Sequence, residues 1–161
     1  MPQPNRCSAL SIPSTQENVI SNLSSVRVLV VDDFADWRHL VIEWLSEHCR
    51  FQVIGVASDG LEAVLKAQQL QPDLILLDIG LPTLNGIEAA RRIRDISPNA
   101  KILFLSQESD RAVAGAAIDA GGHGYVVKSE AFNDLFPALE AVMLGKSFVS
   151  PTLTRHPYEF E

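Results

Sequence analysis

The sequence predicts an α/β domain in which a parallel sheet lies between two layers of helices. Short apolar runs typical of strands alternate five times with amphipathic helical patterns, and this alternation indicates parallel strands joined by crossover helices on both faces. At 161 residues, with 47% hydrophobic and 20% charged residues, the chain has the size and composition of a globular protein with one main domain.

The predicted elements follow one another in a regular order. Strands are predicted at residues 26–31, 51–56, 73–77, 100–105 and 123–127, and helices at 35–48, 59–70, 86–96, 109–119 and 131–144. The first helix carries one apolar stripe formed by Trp37, Leu40, Val41, Trp44 and Leu45. We interpret its two tryptophans as residues that pack against the sheet rather than as a platform for a ligand.

Turn and capping residues mark the later elements. Asp59 and Asn85, each followed by glycine, are predicted to cap the second and third helices. The apolar run at 74–77 is typical of a strand buried on both faces, and Pro98 ends the third helix ahead of the fourth strand.

The two ends of the chain differ in composition from the central domain. Residues 1–25 are rich in Ser, Pro, Asn and Gln without a sustained period, which predicts a disordered or weakly ordered extension. The domain itself is predicted at 26–146. Residues 147–161 are too few for a second domain, and both a C-terminal extension and a truncated linker remain open.

Charge and hydropathy restrict the class of partner. The net charge of −7 argues against a general nucleic-acid-binding surface, and the basic run at 91–94 is interpreted as a solvated helix face. No apolar run approaches the ~20 residues that span a membrane, and the N-terminus lacks a signal-peptide pattern. With Cys7 and Cys49 predicted to form no disulfide, we expect a cytoplasmic protein without membrane partners.

Polar residues follow the predicted strands at the points where those strands end. The first strand leads to Asp32 and Asp33, the third to Asp78, the fourth to Ser106 and the fifth to Lys128. In open α/β sheets the carboxyl ends of the strands form the functional edge. Three carboxylates that meet there repel one another unless a cation joins them.

This set of side chains favours phosphoryl transfer. Mg²⁺, with Mn²⁺ as an alternative, prefers such oxygen ligands and would leave Asp78 ionised as a nucleophile. Ser106 and Lys128 would then hold oxygens of the transferring group. Taken singly, the aspartates are equally well explained as turn or capping residues and Lys128 as a solvated lysine, so the prediction depends on their joint arrangement.

Several motifs together resemble the receiver domain of bacterial two-component response regulators. They are Val28–Asp33, Leu74–Pro82 with Asn85-Gly86, Leu103–Ser106 and Ala120–Lys128. The resemblance implies a flavodoxin-like fold with a five-stranded parallel sheet in the order 2-1-3-4-5 and five helices. Gly121–Tyr125 and Leu144–Pro151 also resemble the subgroup whose receiver precedes a LuxR-type helix-turn-helix, a domain of about 60 residues that we do not find in this sequence.

The resemblance also implies roles for the acidic residues. Asp78 corresponds to the phosphoacceptor that takes a phosphoryl group from a histidine kinase. Asp32 and Asp33 correspond to the Mg²⁺-binding pair, and the backbone carbonyl of Gly80 corresponds to a further metal ligand.

Further positions match the family with two departures. Ser106 and Lys128 correspond to the hydroxyl and lysine that hold the phosphoryl group, and Tyr125 corresponds to the aromatic residue that switches together with Ser106. Gln107 is bulky where the family usually has a small residue, so we expect an altered dephosphorylation rate. Ser129 replaces the usual proline, which removes the argument for a cis peptide.

We therefore expect a phosphorylation-activated switch that catalyses only its own phosphorylation and dephosphorylation. Its expected partners are a sensor histidine kinase and an output protein at the surface of the fourth helix, fifth strand and fifth helix, with homodimerisation as a further option. The alternatives are the receiver part of a DNA-binding regulator and an aspartyl-phosphate phosphohydrolase. Gly80 disfavours the hydrolase because it stands where a second acid–base carboxylate is needed. A degenerate receiver that acts only as an interaction module is also considered.

Overall fold

The computed structural model describes residues 25–154. The predicted N-terminal extension at 1–25 lies outside these residues except for Ser25, and residues 155–161 lie outside them as well.

Strands and helices alternate along residues 25–154, close to the predicted positions. The strands are β1 Val26–Val31, β2 Phe51–Ala57, β3 Leu74–Leu77, β4 Lys101–Ser106, β5 Gly124–Val127 and β6 Phe148–Val149. The helices are α1 Ala35–Ser46, α2 Gly60–Leu70, α3 Gly86–Ile96, α4 Arg111–Asp119, α5 Ala131–Met143 and α6 Pro151–Thr154. A short 3₁₀ turn, Lys128–Glu130, joins β5 to α5.

The strands form one parallel sheet in the order β2-β1-β3-β4-β5-β6. The predicted α/β class and flavodoxin-like strand order are confirmed. The prediction of five strands and five helices is wrong by one of each, because Phe148 and Val149 pair with Gly124 and Tyr125 as β6 and α6 follows directly. A two-residue strand and a one-turn helix are too short to show a hydrophobic period.

The core consists of two apolar clusters, one on each face of the sheet. Side chains of alternate residues point to opposite faces of a strand, so Leu29 and Ile75 contribute to one cluster while Val28 and Leu74 contribute to the other. The first cluster packs against α2, α3 and α4, and the second against α1 and α5. Because all strands are parallel, their carboxyl ends lie at one rim of this three-layer structure.

The segment of β6 and α6 is fixed to the sheet by a buried serine. The hydroxyl of Ser150 accepts a hydrogen bond from the amide of Val127 (3.0 Å) and donates one to Oδ2 of Asp134 (3.0 Å). The amide of Ser150 donates to the carbonyl of Tyr125 (2.9 Å), and Leu153 is buried. The segment thus covers the edge of the sheet beside β5.

Local sequence predictions agree with the observed helix ends. Asp59 accepts a hydrogen bond from the amide of Glu62 (2.8 Å), and Asn85 accepts one from the amide of Glu88 (2.9 Å), so both predicted caps are confirmed. Among residues 25–154 no peptide bond is cis. Within the same residues, no helix combines the length and the apolar character needed to cross a membrane.

Cys49 departs from the sequence prediction. It is disulfide-bonded in the structure, so the expectation of no disulfide is wrong for this residue, and Cys7 lies outside the described residues. Composition failed here because disulfide formation depends on which thiols the fold brings together.

Candidate functional site

Neighbouring strands bring three carboxylates together at the rim of the sheet. Val31, the last residue of β1, is paired with Leu77, the last residue of β3, and the residues that follow them therefore lie side by side. Oxygen atoms of Asp32, Asp33 and Asp78 all lie within 4.8 Å of one another. Asp32 and Asp78 are buried, whereas Asp33 is exposed.

Lys128 supplies the positive charge of the cluster. Its side chain extends from the end of β5 and is only 9% exposed, and its Nζ lies 2.6 Å from Oδ2 of Asp32 and 3.2 Å from Oδ2 of Asp78. One ammonium thus faces three carboxylates. The arrangement leaves an excess of negative charge, which is the electrostatic condition for binding a further cation.

The pKa of Asp32 is raised above its ordinary value mainly by burial, and the negative charge of Asp78 adds to that effect. Hydrogen bonds from Lys128 and from the amide of Phe34 (2.9 Å) lower it, but they do not offset the effect of burial. Among the described residues, the donors to Asp32 therefore do not fully offset the cost of burying its charge.

The backbone around Asp78 holds its side chain in place. The amide of Asp78 donates to the carbonyl of Val31 (3.1 Å), and the amide of Ile79 donates to Oδ1 of Asp78 (2.7 Å). Oδ2 accepts a hydrogen bond from Lys128. Both carboxylate oxygens thus have a donor, which fixes the direction of the carboxylate. Gly80 is exposed two residues further along the same loop.

Gly86 has a role in this site that the sequence did not reveal. A Cβ atom at Gly86 would lie 1.9 Å from the carbonyl oxygen of Asp78, and the amide of Gly86 donates to the carbonyl of Ile79 (2.8 Å). The start of α3 therefore packs directly on the backbone of the loop that begins with Asp78. The sequence predicts Asn85-Gly86 as the start of α3 and as part of a family motif, but a close approach between backbones leaves no local sequence pattern.

Ser106 and Tyr125 lie beside the carboxylates and are linked through one loop. Ser106 is buried at the end of β4, and its Oγ accepts a hydrogen bond from the amide of Glu108 (3.2 Å). The ring of Tyr125 is fully buried and stacked on Phe104 (6.2 Å between ring centroids). Its hydroxyl donates to the carbonyl of Glu108 (2.8 Å). Burial raises the pKa of Tyr125, so the phenol stays neutral.

Two residues of α1 contact the site without having been predicted to do so. Arg38 donates from Nη1 to the backbone carbonyl of Asp32 (2.7 Å), and Nζ of Lys128 lies 5.3 Å from the centroid of the Trp37 ring. The helical spacing of Trp37 correctly predicted that it packs against the core. That spacing contained no information that Lys128, which follows β5, would contact the Trp37 ring.

Comparison with known proteins points to one family. The protein-family model described as the response regulator receiver domain matches residues 28–140. The response regulator GacA of Pseudomonas protegens is 31% identical over 130 residues, which are 81% of this chain and 61% of that protein. The chemotaxis protein CheY of Thermotoga maritima is 40% identical over 102 residues, 63% of this chain and 84% of that protein.

A solved structure agrees with these sequence matches. The two-component response regulator of the LuxR family from Aurantimonas is 33% identical, with a TM-score of 0.78, and the match covers 81% of this chain and 94% of that one. This likeness extends over the fold. The chain spans about three-fifths of the GacA relative that it matches.

Proposed function

Because the chain belongs to the response regulator receiver domain family of two-component systems, we propose that it is a phosphorylation-activated switch whose phosphoacceptor is Asp78. The phosphoryl donor is the phosphohistidine of a sensor histidine kinase. The observation that carries the proposal is the junction of Asp78 with Asp32, Asp33 and Lys128 at the strand ends.

The residues around Asp78 are suited to an in-line transfer. A carboxylate oxygen of Asp78 attacks phosphorus while the bond to the imidazole nitrogen of the phosphohistidine breaks, and the electron pair of that bond stays on the nitrogen. The amide of Ile79 and the ammonium of Lys128 hold the carboxylate in a defined direction before the attack. The ammonium of Lys128 stabilises the charge on the phosphoryl oxygens.

The donor set fits a divalent metal ion. The carboxylates of Asp32, Asp33 and Asp78 converge within 4.8 Å, and the backbone carbonyl of Gly80 is the proposed fourth protein ligand. These are hard oxygen ligands of the kind that Mg²⁺ or Mn²⁺ accepts. When bound, the ion would neutralise negative charge shared by the carboxylates and the phosphoryl group.

Ser106 and Tyr125 are proposed to carry the signal away from the site. A phosphoryl group on Asp78 offers new acceptors to the hydroxyl of Ser106. Movement of that hydroxyl disturbs the loop in which Glu108 holds the Tyr125 hydroxyl. The loop leads into α4, so the surface of α4, β5 and α5 is where an output partner or a second copy of the chain would sense the change.

Mass spectrometry tests the proposed phosphoacceptor. Incubation with Mg²⁺ and acetyl phosphate should add one phosphoryl group, EDTA should prevent the gain, and Asp78→Asn should abolish it. Asp73→Asn is the matched control, because Asp73 lies at the other end of the same strand and accepts a hydrogen bond from the amide of Arg27 (2.9 Å). Equal labelling of the Asp78→Asn variant would show that the site is wrongly assigned.

A second candidate concerns the whole protein. The matched part of GacA and of a putative transcriptional regulator of Pseudomonas aeruginosa is only 61% and 57% of their lengths. This coverage favours the proposal that the chain is the receiver part of a transcriptional regulator. The length of the encoding gene and gel-shift binding by its full product would test it. A cytoplasmic location is part of both proposals.

A further inference from the structure

We propose that Trp37 is a positioning residue that holds the ammonium of Lys128 for the phosphoryl group. The proposal rests on the proposed function of Asp78. It adds a residue of α1 to the cluster of Asp32, Asp33 and Asp78. The contact that motivates it joins Nζ of Lys128 to the ring of Trp37, at 5.3 Å from the centroid.

This contact has the features of a cation–π interaction. A lysine ammonium within about 6 Å of an indole centroid is attracted by the negative face of the ring, and the attraction is larger when the charge is desolvated. The side chain of Lys128 is 9% exposed, so water competes weakly. Trp37 therefore contributes to holding the charge as well as to the apolar packing of α1.

The ring is suited to this task because of how it binds the charge. An ammonium has three N–H donors, and Lys128 directs its charge at Asp32 and Asp78. An aromatic face attracts the cation without adding a formal negative charge beside the acceptor site. A further carboxylate in this position would repel the incoming phosphoryl group, whereas the ring of Trp37 does not.

Trp37 contacts a second aromatic residue of α1, Trp44, which in turn contacts the exposed ring of Phe132. The ring of Trp37 meets Trp44 edge to face, with 5.9 Å between centroids and an interplanar angle of 85°. Trp44 in turn meets Phe132 at 6.0 Å and 68°. Trp37 and Trp44 belong to α1, which follows Asp32-Asp33, and Phe132 belongs to α5, which follows the turn that begins with Lys128. The aromatic row thus joins the two segments that carry the charges.

Simple core packing is the alternative explanation, and the indole nitrogen argues against it. Nε1 of Trp37 is buried and has no hydrogen-bond partner among the described residues. A buried donor without a partner is unfavourable, and a phenyl or aliphatic side chain would fill the space without that cost. The large electron-rich face offered to Lys128 is the compensating feature that the structure shows.

Phosphorylation rates with acetyl phosphate and Mg²⁺ test the role. We expect Trp37→Leu to slow labelling of Asp78 by about fivefold to thirtyfold, the range of a partly or fully desolvated cation–π contact. Trp37→Phe keeps an aromatic face and should stay within about threefold of the wild type. Ile42→Ala is the matched control, because Ile42 packs against the same core cluster from α1 and should lose stability without a change in rate.

The outcomes separate positioning from packing. A wild-type rate in Trp37→Leu would overturn the proposal, and so would a Trp37→Phe variant as slow as Trp37→Leu. Unfolding measurements on each variant show whether a rate loss follows stability alone. If the wild-type chain takes up no phosphoryl group at all, the proposed function fails and the positioning role fails with it.

Fluorescence tests the contact without any phosphorylation. The chain has two tryptophans, so Trp44→Phe leaves Trp37 as the single indole emitter. In that background, Lys128→Met should change the intensity and wavelength of Trp37 emission in the folded protein, because the adjacent charge is removed. Unchanged emission would overturn the contact. This measurement still tests the contact between Lys128 and Trp37 if Trp37→Leu does not fold.

Discussion

Replacing Lys128 by Met tests most directly the electrostatics of the acidic rim, the cluster of Asp32, Asp33 and Asp78 at the strand ends. The variant keeps most of the side-chain volume and removes the ammonium that lies 2.6 Å from Asp32 and 3.2 Å from Asp78. Each of the three side chains is less than a tenth exposed. The free energy of unfolding in EDTA should therefore fall by about 3 kcal/mol, because breaking a buried ion pair leaves uncompensated charge.

The size of this loss is limited by protonation and should respond to metal. Burial already raises the pKa of Asp32, so this carboxyl can take up a proton when Lys128 is lost, which keeps the expected value at the lower end of about 3–5 kcal/mol. A divalent cation should restore charge balance. At a concentration 100 times its Kd, Mg²⁺ should contribute about 2.7 kcal/mol through preferential binding to the folded state.

Urea unfolding followed by far-UV circular dichroism measures both effects at pH 7.5, in EDTA and in Mg²⁺. Arg91→Met is the control: its guanidinium lies 3.0 Å from Glu88, but the two side chains are 56% and 41% exposed, so we expect a loss of at most about 0.5 kcal/mol. A loss below 1 kcal/mol for Lys128→Met in EDTA would refute the reasoning. Unfolding free energies that Mg²⁺ raises in neither the wild type nor Lys128→Met would refute the metal-binding part.

Two further predictions concern stability away from the acidic rim. Ser150→Ala should lower the free energy of unfolding by about 1–3 kcal/mol, because it removes the acceptor for the buried amide of Val127; Thr154→Ala, an exposed hydroxyl, is the control, and equal urea midpoints for the two variants would contradict the prediction. Burial, helped by nearby positive charges, lowers the pKa of His123, whose Nδ1 accepts a hydrogen bond from the amide of Ile102 (3.0 Å). The unfolded state then binds a proton that the folded state does not, so stability is retained above pH 6.5 and decreases as the pH falls below it. His123→Asn keeps an acceptor and should flatten this decrease in urea midpoints between pH 7 and pH 5, and an unchanged slope would show that another group causes it.

Local sequence features predicted much of the fold. Alternation of apolar runs and amphipathic helices depends on neighbouring residues, and the caps at Asp59 and Asn85 depend on a single side chain and the amide three residues later. These interactions are present wherever the segment folds. The motif residues Asp32, Asp33, Asp78 and Lys128 also mark strand ends, and a parallel sheet brings such ends to one rim.

The missed features all depend on contacts between distant segments. Phe148 and Val149 form a strand because β5 offers an unpaired edge, and their own sequence is too short to predict it. Gly86 approaches the carbonyl of Asp78 only once α3 has packed on the sheet. Both features were missed for the same physical reason. A backbone contact or an edge pairing is decided by register and packing rather than by residue pattern.

The acidic rim shows where the two sources of information divide. The sequence by itself determined that three carboxylates, a hydroxyl and an ammonium follow the strands of an α/β sheet, because chain order and strand direction decide which end each residue occupies. Only the tertiary structure decided that Lys128 lies between two buried aspartates and the ring of Trp37. Those contacts join residues about 50 to 100 positions apart, and only packing brings such residues within reach.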